Sequence, residues 1–185
     1  MYKESLVIKK ASIDDKDIIK NLWQETLSDV FNYDKTIHHN VEDELNFKMQ
    51  QFDETCLKAK GSYYLAFLNN ELIGTIAYTT TPNVGILKRT GKDLINTYEV
   101  GSLYIKPKYQ NMGYGKDLLI FMYRYLESKG VLTICFDTII ESSKKRWLKM
   151  FGEPKYKIFS NTHEFMHMVW VINVKEVLKK LENKG

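Results

Sequence analysis

Apolar positions along the chain follow two rhythms, one of strands and one of helices. SLVIKKA, at residues 5 to 11, is a short β-rich run. Behind Ser12, whose hydroxyl suits a helix N-cap, Ile18, Ile19, Leu22, Trp23 and Leu27 recur at helical spacing. A second helix is predicted over VEDELNFKMQQFDETCLKAKG, with Gly61 as its terminator. SYYLAFLNNELIGTIAYTT predicts a hairpin turning at Asn69 and Asn70. TPNVGILKRTGKDLIN is a polar connection carrying Lys88, Arg89 and Lys92, a candidate flap. Next come a strand (TYEVGSLYI), an apolar helix closed by Gly130 (GYGKDLLIFMYRYLESKG) and an uninterrupted apolar strand (VLTICFDTI). Strand, helix and strand at this spacing imply a right-handed parallel crossover. A short helix over ESSKKRWLKMFG, a strand over EFMHMVWVIN and a terminal helix over NVKEVLKKLENKG complete the order. Asn173 and Glu176 fit a capping box there, and Val174, Val177, Leu178 and Leu181 form a stripe that would dock on the core or join a homodimer.

Composition narrows the class. The 185 residues, 44% hydrophobic and 13% aromatic, suffice for one compact domain with a substantial core. No Pro- or Gly-rich linker, internal repeat or apolar run near the ~20 residues of a membrane span interrupts them, and the first residues are too weakly apolar for a secretory signal. A cytoplasmic protein with reduced cysteines is expected; Cys56 and Cys135 form no spacing motif, and Cys135 in VLTICF reads as a core thiol. The net charge of +4 conceals an asymmetry: residues 25 to 54 hold eight acidic and two basic side chains, a net of −6, leaving +10 elsewhere. Two ligands of opposite sign would explain this, and so would a solvated acidic helix face. The basic residues form no stripe and no nucleic-acid motif is present.

Residues 163 to 167, HEFMH, match the HExxH pattern of zinc hydrolases. Two histidines four apart share a metal only on a helix. Their segment has the β-branched and aromatic content of a strand, where the two would stand about 13 Å apart, and no third ligand follows. The expectation is no metal. His38 and His39 are adjacent and read as surface residues.

The chemistry concentrates in TYEVGSLYIKPKYQNMGYGKDLL, residues 97 to 119. A strand enters a turn, QNMGYG, that opens directly into a helix. Gly113 and Gly115 let backbone amides approach an anion, and the first helical turn adds donors and partial positive charge. The turn is neither a Walker loop nor GxGxxG.

Strand, Pro-containing bend, QxxGxG and apolar helix resemble motif A of the GCN5-related N-acetyltransferase (GNAT) superfamily, with Gln110, Gly113 and Gly115 in its defined positions. The resemblance spans most of the chain in element order. It implies an α/β (α+β) fold: a central, mixed, mostly antiparallel sheet of six to seven strands flanked by helices, with one parallel crossover. Residues 1–185 would form a single N-acetyltransferase domain, with its core at about 5–172 and a C-terminal helical extension at 173–185. The implied cofactor is acetyl-CoA, its diphosphate on Gln110, Asn111, Met112, Gly113, Tyr114, Gly115 and Lys116, and its pantetheine arm along Leu103, Tyr104 and Ile105. Gly101 would mark a bulge that splays this strand from its parallel neighbour.

An alkylamine acceptor is almost wholly protonated at pH 7, so exposing its lone pair costs about 4 kcal/mol. A base must assist. Glu99 stands where the family often carries a catalytic glutamate; otherwise it is a paired structural carboxylate or an anchor for the substrate ammonium. The amide of Leu103 is the expected oxyanion donor. The chain departs from the family where a tyrosine usually protonates the leaving thiolate, for Trp147 stands near that position and an indole is no acid; the motif's asparagine is also missing, with Ser142 or Ser143 a loose substitute. Tyr156 or direct release to solvent remain for that proton. The acidic stretch spans the helices that in the family wall the acceptor site, which favours a cationic small-molecule amine or a lysine side chain of a peptide. The alternative is a non-catalytic acyl-CoA sensor.

Overall fold

A computed structural model describes residues 5–33, 40–159 and 166–183. Among them, seven strands form one sheet: β1 (Val7–Lys10), β2 (Gly61–Leu68), β3 (Glu71–Thr79), β4 (Tyr98–Ile105), β5 (Thr133–Thr138), β6 (Tyr156–Phe159) and β7 (Met166–Asn173). The sheet order is β1-β2-β3-β4-β5-β7-β6, with β4 and β5 parallel and every other pair antiparallel. Six helices flank it: α1 (Lys16–Tyr33), α2 (Val41–Lys58), α3 (Val84–Thr90), α4 (Tyr114–Ser128), α5 (Glu141–Phe151) and α6 (Val174–Glu182).

The period-2 alternation of the strands sends side chains to two separate cores. On one face, Tyr64, Ile73, Ile76, Val100, Ile134 and Trp170 pack against Leu118, Met122 and Tyr123 of α4 and the stripe of α6. On the other, Tyr63, Leu65 and Ala77 meet Trp23 and Leu27 of α1 and Met49 and Phe52 of α2, while Ile86 of α3 covers Cys135 and Val169. The α6 stripe is thus buried in the same core as α4, so residues 174 to 181 are an integral layer, and the stripe faces this core instead of a second chain.

Several expectations need correction. Ile18 is 42% exposed, and Thr26 takes its place on the buried side of α1, donating its hydroxyl to the carbonyl of Leu22. Gly61 does not end α2: Ala59 is the left-handed residue there (φ 50°), and Gly61 begins β2, where a Cβ would come within 2.0 Å of the Tyr78 carbonyl oxygen. The polar connection after β3 is no flap, since it forms α3 and a 3₁₀ turn that bury Ile86 and Leu94. The hairpin turns as expected, Asn69 and Asn70 both having positive φ, as a type I′ turn requires. Asn173 accepts from the amide of Glu176 and caps α6.

Candidate active site

Two features of β4 make the site. The first is a bulge. Gly101 pairs with Ala77 and Tyr104 with Thr75, so three steps along β4 match two along β3. The bulge begins beside Gly101, as expected, and its left-handed residue is Ser102 (φ 49°). It is held by a buried chain in which the Trp23 Nε1–H donates to Thr75 Oγ1 (3.0 Å) and the Thr75 hydroxyl donates to the Ser102 carbonyl (2.9 Å). The extra residue flips the alternation: Val100, Leu103 and Ile105 join the α4 core, while Tyr104 joins the α1 and α2 core. The second feature is a split. β4 and β5 pair at Tyr98 with Ile134 and at Glu99 with Cys135, and then separate.

On the α4 side of the split, a cleft of about 230 Å³ lies between Leu103, the start of α4 and one face of α5. Asn111, Gly113, Gly115 and Lys116 line it, as does Leu119. Asn111 (φ 62°) and Gly113 (φ 87°) are both left-handed, which turns the chain sharply into α4. The helical ladder opens with the Asp117 amide donating to the Gly113 carbonyl, so the amides of residues 114 to 116 lie ahead of it at the positive end of the helix. Among the described residues, a Cβ on Gly115 would meet only Ile105 Cγ1, at 3.8 Å, so the backbone there has room for a ligand. An anion, and a diphosphate in particular, fits this cradle.

The other residues expected at the cofactor have different places. Gln110 braces the turn, its Nε2 donating to the Ile105 carbonyl at 3.0 Å. Tyr114 is buried against Tyr109, Ile105 is buried in the α4 core, and Met112 is exposed. Tyr104 turns its ring away from the cleft toward Trp23, so only its backbone can border the pantetheine path. Sequence reasoning missed Arg146 and Met150, which line the cleft from α5 with Trp147; the helical spacing of 146, 147 and 150 was the available signal. Trp147 packs on Phe136 (5.7 Å) and Phe151 (5.6 Å) as part of the wall. Tyr156 lies on the opposite face, against Cys135 and Val169, and is no part of this cleft. A larger depression of about 530 Å³ on the outer side of α4 contains none of the turn residues.

A network outside the cleft fixes the turn. Glu71, at the hairpin, accepts from Lys106 (3.0 Å), Lys108 (3.0 Å) and the Tyr109 hydroxyl (2.6 Å). These bonds hold its carboxyl down at about 2, and they tie the loop before Gly113 to the β2-β3 turn.

The opposite side of the split carries the acids. Glu99 is half-buried, and its two oxygens accept from the Asn83 amide (2.6 Å) and side chain (2.9 Å). Burial and the nearby Asp137 charge raise its carboxyl pKa, while the Asn83 hydrogen bonds and Lys48 pull it down. Asn83 also accepts from the Ile86 amide, so the cap of α3 and Glu99 share one side chain. Cys135, beside Glu99, is fully buried, and burial pushes its thiol far up, which leaves it inert.

Much of the acidic stretch is engaged elsewhere. Asp53 pairs with Lys16, Glu54 with Lys58, Glu44 with Lys48, and Glu25 lies 4.0 Å from Lys106. His167 stands in strand β7, while His163 and Glu164 of the HExxH pattern, with His38 and His39, lie outside the described residues. No group of three or more metal-ligating side chains occurs among the described residues.

A split parallel pair, a bulged strand and an amide cradle on the next helix form one architecture, and the acetyltransferase (GNAT) family model matches residues 20–152. The chain belongs to the GNAT acetyltransferase family. It is therefore an N-acetyltransferase of the kind that takes its acetyl group from acetyl-CoA. Solved structures share the fold. The PaiA N-acetyltransferase of Thermoplasma acidophilum in complex with coenzyme A has a TM-score of 0.65 at 19% identity, over 90% of this chain and 99% of that one. A spermidine N-acetyltransferase SpeG chimera from Vibrio cholerae and hSSAT gives 0.65 at 14%, over 95% and 99%. An acetyltransferase of the GNAT family from Staphylococcus aureus Mu50 gives 0.63 at 15%, over 92% and 99%. No curated protein sequence matches the chain. No helix among the described residues is long and apolar enough to cross a membrane.

Proposed function

We propose that this acetyltransferase acts on the primary amine of a cationic small molecule or lysine side chain by direct transfer, with Glu99 as the general base. The observation that carries this is the position of Glu99: a half-buried carboxylate with a raised pKa, at the last paired register before β4 and β5 part. The cofactor cradle lies on the α4 side, so a thioester reaching through the split meets Glu99 from the far face.

In this scheme coenzyme A lies with its diphosphate at the amides of residues 113 to 116, with Lys116 and Arg146 lining the same cleft. The bulge leaves the Leu103 amide outside the regular ladder, where it serves as the oxyanion donor. The ammonium loses a proton to Glu99, and the freed nitrogen lone pair forms the C–N bond as the C–S bond breaks. That bond's electron pair leaves on sulfur. The attacking nitrogen then sheds its second proton, and the thiolate takes one from solvent or from protonated Glu99, since Trp147 offers none. Because the base must be ionised, kcat/KM rises with pH through the raised Glu99 pKa and again as the amine deprotonates unaided.

The test is thiol release from acetyl-CoA with a panel of primary amines, polyamines and lysine peptides. Amine-dependent release supports the scheme. Tight coenzyme A binding without release for any amine would instead leave a CoA-binding module.

A further inference from the structure

We infer that Asp137, beside His167, is a second carboxylate of the acceptor site that anchors the acceptor's ammonium near Gly101 and so selects cationic amines. The inference rests on the acetyltransferase reading above and assigns a specificity group to it.

Strand register places the three groups together. Glu99 is paired with Cys135 at the last rung before the strands part, so Gly101 and Asp137 each stand two residues further on, one on either side of the split. Glu99 and Gly101 share a face of β4, while Cys135 and Asp137 share the same face of β5. Gly101 supplies the floor. A Cβ built there meets one atom within 4 Å among the described residues, Glu99 Oε1 at 3.5 Å, so the space above it is open and Glu99 leans toward it. Gly101 thus gives room for a ligand just where the bulge begins, with Ser102 as its left-handed residue.

β7 completes the wall. Asp137 pairs with Val169, and His167, two residues earlier on the same face, brings Nδ1 to 3.5 Å from Asp137 Oδ2. The His167 side chain is 11% exposed and that of Asp137 25%, so the imidazole is fixed while the carboxylate still reaches solvent. Glu99 borders the open position, and Asp137, across the split on the same face, is near enough for its charge to bear on Glu99. Two such carboxylates suit a cation, and one of them can remain charged after the other has taken a proton. Asp137 thus keeps its attraction for the nitrogen, which carries positive charge again when it attacks the thioester. Among the described residues, Lys48 bears on Glu99 through its charge, and His167 is the imidazole beside Asp137.

The test compares n-butylamine, charged at neutral pH, with methoxyamine, which is uncharged there, using the full-length protein. Asp137→Asn should raise KM for n-butylamine about 10- to 100-fold, the loss of one charge-assisted contact, with kcat changed far less and KM for methoxyamine unchanged. His167→Leu should move KM for n-butylamine in the same direction, and His167→Asn, which keeps a donor near the Nδ1 position, should recover part of it. Equal effects on both amines, or none, would overturn the inference while the acetyltransferase reading stands on wild-type turnover. If the wild type turns over no amine, n-butylammonium binding by calorimetry decides separately: weaker binding by Asp137→Asn than by wild type supports the anchor, and equal binding removes it. Circular dichroism confirms that each variant is folded.

Discussion

The two faces of β4 solve different problems with different materials. Toward α4, the strand presents Val100, Leu103 and Ile105, and the proposed coenzyme A contacts come from backbone amides at a helix terminus. Toward α1, α2 and α3, it presents Glu99, the open position at Gly101 and Tyr104, and the proposed chemistry rests on individual side chains. A cofactor common to a family can be held by backbone, which any compatible sequence supplies. An acceptor is distinguished by side chains, and these change with substrate. The Ser102 bulge is where the strand exchanges one regime for the other, and the Trp23–Thr75–Ser102 hydrogen bonds fix it.

The contrast can be broken from either side. The largest effect is expected for Glu99→Gln, which should lower kcat/KM at pH 7 by about 10² to 10⁴, the range of general base catalysis, while leaving coenzyme A affinity unchanged. From the donor face, Gly113→Ala forces a left-handed conformation (φ 87°) on a residue with a Cβ, at about 1–2 kcal/mol. It should raise KM for acetyl-CoA about tenfold and leave KM for the amine alone, the reverse of Asp137→Asn.

At the boundary, Thr75→Val removes the acceptor for Trp23 and the donor for Ser102 without changing volume. The expected loss is about 1–3 kcal/mol of stability for each buried group left unpaired, seen as a lower Tm, together with reduced turnover. Asn83 and Asp137 sharpen the account of the acid face, because they act on Glu99 with opposite sign. Asn83→Ala removes a hydrogen bond that lowers the Glu99 pKa, so the acidic limb of the kcat/KM profile should move to higher pH; Asp137→Asn removes a charge that raises it, so the limb should move lower.

The smallest effect concerns Glu71. Its folded pKa is depressed from 4.5 to about 2, so the brace contributes above pH 4.5 and is lost as pH falls toward 2. Glu71→Gln should therefore weaken acetyl-CoA binding slightly at pH 7, and the gap from wild type should narrow in acid. High salt should narrow it as well, because the carboxylate is partly exposed.

The donor side was legible in the sequence because its devices are local: Gln110, Gly113 and Gly115 sit within six residues, and strand, turn and helix follow without interruption. Element order was legible too, from the two hydrophobic periods. On the acceptor side the sequence pointed to Glu99 alone, through the family resemblance. Asn83, Asp137 and His167 come from three other segments, and no spacing rule relates residues that meet only through the fold. Gly101 marked the bulge that begins beside it, while Ser102, its left-handed residue, left no mark on the sequence. Residues 81 to 96 read as a polar flap because two of the four buried positions described there, Pro82 and Thr90, are not large apolar residues, which leaves only Ile86 and Leu94 to show the stripe.

The division of β4 into a donor face and an acceptor face is tested most directly by a crystal structure with a bisubstrate analogue, coenzyme A linked through an acetyl bridge to n-butylamine. The account places the diphosphate on the amides of residues 113 to 116, the bridge in the gap between β4 and β5, and the amine nitrogen above Gly101 within hydrogen-bond reach of Glu99. A nitrogen lying on the α4 and α5 side of the sheet, or remote from Glu99, would contradict it.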